Sequence, residues 1–207
     1  MQSFYLDIYD HDKGLSIMEI LDFLTMLVNL ACTFMLASAN IWAWPIGILG
    51  LIMSSALFGL SGLYADMVLQ LILIISFVYG WYSWSSQNGN TSNAEFEVLF
   101  LSLKGWILSV VIIVVLSGAV FYILVQFTDS TTPTLDAFTS VSSIVCVYLS
   151  SKKYIDNWIM WMIIDSLYVF LYVHKNIYFA ATTTVIYLIV AVYGYKHWKK
   201  LYSKQKS

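Results

Sequence analysis

Seven stretches of this chain are long and apolar enough to cross a bilayer, and little of the chain lies outside them. They run 17–38, 42–60, 63–84, 105–126, 134–150, 157–173 and 176–195. A spanning helix needs about 20 mostly apolar residues, with a range of about 17–25. Of the 207 residues, 60% are hydrophobic and 11% charged, against about 25% charged in a soluble domain. Such a chain cannot cover itself with charge, so lipid is the solvent for most of its surface. Each span must satisfy its own backbone polar groups, which predicts an all-α integral membrane protein.

The connections are short except for "SSQNGNTSNAEFE", a polar linker rich in Gly, Asn and Ser. There is no Arg. With seven spans, Lys104, Lys152, Lys153, Lys196, Lys199, Lys200, Lys204 and Lys206 fall on one side and only Lys13 and Lys175 on the other. The Lys-rich side is therefore expected to be cytoplasmic, with the N-terminus outside and the C-terminus inside. The first residues, "MQSFYLDIYDHDKG", lack the basic start of a signal peptide and read as an extracytoplasmic or interfacial segment. Cys32 and Cys146 lie in apolar runs and read as small core residues. The net charge of −2 gives no nucleic-acid footprint.

The chain also repeats itself. Laying "VYGWYSW" over "VYGYKHW" puts Tyr79, Gly80 and Trp84 on Tyr193, Gly194 and Trp198, an offset of 114 residues. Held without a gap, that offset puts Tyr64 on Tyr178, Trp44 on Trp158, Cys32 on Cys146, Thr25 on Thr139, and Leu21–Asp22 on Leu135–Asp136. The first three helices thus match the last three. A single connector between them makes the repeats parallel, about an axis along the membrane normal, as in SWEETs. The expected organisation is an N-terminal segment 1–16, a first repeat 17–84, a linker 85–104, a connector 105–126, a second repeat 134–198 and a cytoplasmic tail 199–207. In such folds the substrate sits near the midplane, between the halves.

The polar residue least at home is Asp165, in "NWIMWMIID". Trp158, Trp161 and Asp165 are spaced i, i+3 and i+7, so they share one helix face. Asp165 lies eight residues past Asn157, about 12 Å along the axis and close to mid-membrane. A carboxylate there costs about 2.5–3.5 kcal/mol on insertion scales. One reading is a protonated Asp bonded to a nearby Ser, Thr or Tyr. The other is a site for a cation with a flat ring, because indole faces attract cations.

Other candidates are Gln70, a buried amide that is either a ligand contact or helix–helix glue, and Trp44, the repeat mate of Trp158. Asn157, Tyr82, Tyr168 and Thr184 are further contact or gate candidates. For Tyr82 the competing reading is an interfacial aromatic belt, and for Thr184 a hydroxyl bonded to its own helix. No Walker-type loop, metal-ligand spacing or hydrolase motif is present, so neither an enzyme nor a cofactor is expected. A proton-coupled carrier of organic cations would also want one deep acid and aromatic walls. A structural or signalling membrane protein is the third class, and it would show no stabilisation by a ligand.

"NIWAWPIG", "LYADMVLQ", "YGWYSW" and "KKYIDNWIMWMIID" together resemble the Pnu-type bacterial vitamin transporters, over nearly all of the chain. The nicotinamide riboside members carry W-x-x-W-x-x-x-N in the sixth helix. Here Trp158 and Trp161 keep the pattern and Asp165 stands where the Asn belongs. That variant resembles the thiamine-transporting branch. The resemblance implies a full-length SWEET-like 3+1+3 fold in the bacterial inner membrane. It also implies facilitated diffusion of a vitamin, thiamine before nicotinamide riboside, with trapping by a cytoplasmic vitamin kinase. It leaves a homo-oligomer open.

Overall fold

The computed structural model describes residues 17–61, 64–88, 97–128, 132–174, 176 and 178–206. The expected N-terminal segment 1–16 and the middle of the linker lie outside the described residues. Seven helices follow in order: α1 (Ile17–Ala37), α2 (Ala43–Leu60), α3 (Tyr64–Asn88), α4 (Leu103–Phe127), α5 (Pro133–Ser151), α6 (Asn157–His174) and α7 (Tyr178–Gln205). Among the described residues the only strand-like pairing is one bridge, Leu99 to Tyr154.

Five of the helices are long and apolar enough to span a membrane by length and composition alone. The other two are α6, which carries Asn157, Asp165 and His174, and α7, which carries the Lys-rich end. The fold is an all-α, multi-pass membrane architecture in a 3+1+3 arrangement. Two ends differ from expectation. The third helix continues to Asn88 and the last to Gln205, so most of the expected tail is helix. A helix satisfies its backbone internally in water as in lipid, so the end of an apolar run does not end it.

The offset of 114 survives folding in detail. It carries the bounds of α2 onto those of α6, the start of α3 onto that of α7, and the end of α1 onto that of α5. Ala39 and Lys153 are repeat mates, and both adopt the left-handed conformation, with φ of 58° and 60°. Each closes its helix in the same way. Asn40 N–H donates to Met35 O and Ala39 N–H to Leu36 O. In the second repeat Tyr154 N–H donates to Leu149 O and Lys153 N–H to Ser150 O. This is the Schellman pattern, usually built on glycine at the left-handed position. Here Ala and Lys carry its steric cost twice, which marks these turns as tightly specified.

The halves meet along two seams, α1 against α7 and α3 against α5, while α4 packs on α5. Because α1 mates with α5 and α3 with α7, a pseudo-twofold axis along the helices exchanges the seams. Near the Lys-rich end that axis passes through four buried indoles. Trp44 meets Trp84 at 5.2 Å, Trp84 meets Trp198 at 6.1 Å, and Trp198 meets Trp158 at 5.7 Å. Trp44 and Trp158 rest on Gly80 and Gly194, where any side chain would run into the indole. The two glycines are themselves repeat mates.

Candidate functional site

Above the four indoles a cavity of about 280 Å³ lies between the halves, close to the lower end of ligand pockets, about 300–1,000 Å³. Its walls follow the repeat. Asn29 is the repeat mate of Ser143, Thr33 of Val147, Leu36 of Ser150 and Trp44 of Trp158, and the Asn29 amide donates to Ser54 Oγ of its own half at 3.3 Å. Gly47 is paired with Trp161, Leu51 with Asp165, Leu73 with Tyr187, and Phe77 with Ala191. Every lining residue except Cys32 belongs to such a pair. The cavity therefore sits on the pseudo-twofold axis, where neither half alone could enclose it.

The pairs match in position and differ in chemistry. The first repeat offers Leu36, Leu51, Leu73 and Phe77 beside the polar Asn29 and Thr33. At the mated positions the second repeat offers Ser150, Asp165 and Tyr187, with the indole of Trp161 beside them. Asn29, Leu51, Ser143 and Asp165 each stand eight residues from the Lys-rich end of their helix, about 12 Å in. They form one level across the four helices. At Gly47, the mate of Trp161, a Cβ would run into Phe77 and Cys32, which pack directly on the glycine.

Asp165 is 8% exposed. Among the described residues no hydrogen bond or ion pair reaches its carboxyl. A buried carboxyl is normally paired, coordinated or neutral, and this one lines the cavity with no partner of its own among the described residues.

The structure brings together Trp44, Trp158, Trp161 and Asp165. The remaining candidates stand elsewhere. Gln70 is half-buried on the same face of α3 as Leu73 and Phe77, one turn further from the Lys-rich end, and it does not line the cavity. Asn157 is fully buried at the start of α6, where its amide donates to Tyr154 O. Tyr168 donates its hydroxyl to Thr139 Oγ1 at 2.8 Å. Thr184 bonds back to Ala180 O at 2.9 Å. Tyr82 is 71% exposed at the Lys-rich end of α3. Trp42 is exposed, unlike Trp44 two residues on.

Sequence reasoning missed Asn29, Thr33, Phe77, Ser143, Ser150 and Tyr187. The signal for two of them was available. Asn29 and Ser143 are polar, mid-helix and exactly one repeat apart. The others depend on how each helix is turned about its own axis.

The family profile described as nicotinamide mononucleotide transporter matches residues 19–200. The chain belongs to that family. Its relatives in the family are transporters. The chain is 24% identical over 196 residues to the nicotinamide riboside transporter PnuC of Escherichia coli (strain K12), covering 83% of this chain and 82% of that one. It is 25% identical over 175 residues to the riboflavin/roseoflavin transporter RibM of Streptomyces davaonensis, covering 83% and 79%. The crystal structure of the vitamin B3 transporter PnuC superposes with a TM-score of 0.73 at 22% identity, over 98% of this chain and 88% of that one. The shared fold is thus the Pnu-type vitamin transporter fold expected from the sequence.

Proposed function

We propose that this protein carries a cationic aromatic vitamin across the bacterial inner membrane by facilitated diffusion, with its Lys-rich face and C-terminus in the cytoplasm. The observation that carries the reading is the axial cavity, with Asp165 and Trp161 on one wall and Leu51 and Gly47 at the mated positions opposite. A carboxylate at mid-membrane depth is costly unless a positive charge meets it. The indole adds a face on which a flat cation can stack. A site on the repeat axis is where alternating access needs it, because each half can rock about it in turn.

Nicotinamide riboside is the first ligand of this reading, since a family relative is named for its transport. The ring is cationic, which suits the carboxyl of Asp165 and the indole face of Trp161 on the cavity wall. Thiamine is the second reading, and Asp165 is the observation that favours it. A carboxyl can pair with both the amino group and the ring nitrogen of an aminopyrimidine. Net uptake then comes from phosphorylation by a cytoplasmic vitamin kinase, which removes the carried species from the equilibrium.

Thermal unfolding with nicotinamide riboside, thiamine and riboflavin tests the reading, because a ligand of the folded state stabilises by RT ln(1 + [L]/Kd). Stabilisation by either cation above riboflavin is expected. A preference for neutral riboflavin would overturn the cation assignment.

A further inference from the structure

The two seams between the halves are mates by sequence and unequal in strength at the Lys-rich end. Each carries a stacked aromatic pair at the same repeat position. Tyr79 and Tyr148 stack across α3–α5 at 6.4 Å and 11°. Phe34 and Tyr193 stack across α1–α7 at 5.6 Å and 10°. Around the first pair the chain adds two ties. Lys152 Nζ lies 5.1 Å from the Tyr79 ring and 6.0 Å from the Tyr148 ring. Ser83 Oγ donates to Ser151 O at 3.1 Å.

At the mated positions of the other seam, Ser38 replaces Lys152 and brings no charge to the stack. His197 replaces Ser83 and stacks on Tyr193 of its own helix at 5.7 Å. A side-chain bond that does join α1 to α7, Thr183 Oγ1 to Met26 Sδ at 3.7 Å, lies eleven residues from the end of α1, about 16 Å away.

The turns that follow α1 and α5 repeat this inequality. The α5–α6 turn is strapped by the chain entering α4. Leu99 N–H donates to Lys153 O at 3.0 Å, and Ile155 N–H donates to Leu99 O at 2.8 Å. Asp156 receives Leu101 N–H at 2.6 Å and Trp106 Nε1–H at 2.9 Å. Val98, 1% exposed, packs into the cluster of Trp84, Trp198 and Ile155. The mated α1–α2 turn has the exposed Trp42 where Asp156 stands.

We infer that the cavity opens toward the Lys-rich face along α1–α7, the first repeat tilting on α3 so that α1 moves away from α7 while α3–α5 stays closed as the spine. This rests on the transport reading above and specifies the moving parts. Of two mated seams, the one that separates is the one with fewer ties to break, because the state of lower cost is the one populated.

The test uses a Cys146→Ser background. Cys32 is then the sole native thiol, buried against the cavity. Its modification by an impermeant maleimide at the Lys-rich face counts openings, whatever the protein carries. Two cysteine pairs are compared, Phe34→Cys with Tyr193→Cys and Tyr79→Cys with Tyr148→Cys. A short bis-methanethiosulfonate linker, reversible by dithiothreitol, closes each pair. Closing the 34/193 pair should slow Cys32 modification by about tenfold or more and stop counterflow of labelled nicotinamide riboside and thiamine, while the 79/148 link should change either by less than about twofold.

Equal suppression by the 79/148 link, or none by the 34/193 link, overturns the inference. If the reduced variants exchange neither vitamin but Cys32 still follows the 34/193 link, the substrate reading fails and the seam assignment stands. Hydrogen exchange on the unmodified chain gives a second measurement. Residues 33–37 of α1 should exchange faster than their mates 147–151 of α5, and equal or reversed rates would overturn the inference.

Discussion

Asp165 and Leu51 are the same position of the repeat, and the difference between them gives the cavity its direction. The acid stands on the second-repeat wall alone, so on the proposed reading a cation entering along the axis is drawn to one side. Asp165→Asn keeps the shape and removes the charge. We expect thiamine affinity to fall about tenfold, about 1.4 kcal/mol, by calorimetry on purified protein. Nicotinamide riboside should lose less, because an amide can still meet its carboxamide. Equal affinity of parent and variant for thiamine would remove the carboxylate from the site. At the same scale, Gly80 and Gly194 are held to glycine by Trp44 and Trp158. Gly80→Ala and Gly194→Ala should each destabilise by about 1–3 kcal/mol, the cost of overpacking, seen as a lower thermal midpoint. Two unchanged midpoints would show that the indoles can shift.

Among the elements, α4 is the fourth helix, the one without a repeat mate, and it sets the sense of the repeat. Its entry is pinned by the Asp156 carboxylate, which holds a backbone N–H and an indole N–H. Hydrogen bonds to a charged group contribute about 1.5–3 kcal/mol each before any relaxation. Asp156→Ala should free residues 97–102 from the α5–α6 turn and speed proteolysis there, with the spans left intact. No change in cleavage would mean that the Leu99–Tyr154 bridge and Val98 hold the segment alone. The seven helices were legible because lipid forces each crossing to close its own hydrogen bonds over a fixed length. Their ends were not. Past the membrane face helix and loop compete on equal terms, and α3 and α7 both ran on.

For the molecule as a whole, two parallel halves around one axial site predict exchange without an energy source. Liposomes should equilibrate the vitamin with no gradient, and a kinase with ATP enclosed inside should drive net accumulation as the phosphate. Concentration of unmodified vitamin by an imposed pH step would instead show proton coupling at Asp165. The apolar outer surface of α4, with Leu108, Val114, Val115 and Tyr122 all exposed, belongs to the same picture, since such a face is stable only against lipid or protein.

The number of crossings, the internal repeat and the pairing of Trp44 with Trp158 were all present in the sequence. Each depends on a local length or a constant offset, which folding does not alter. Trp161 and Asp165 were also readable, because one helix's own spacing places them on one face. Only the tertiary structure decided that Asn29, Ser143, Phe77 and Tyr187 share that cavity while Gln70 stops one turn short. It also decided that Tyr168 and Thr184 turn to bonds of their own. In lipid nearly every face of a helix is apolar, so the pattern of side chains does not announce how the helix is rotated. That rotation is set by packing against neighbours from the other half, more than a hundred residues away in the chain.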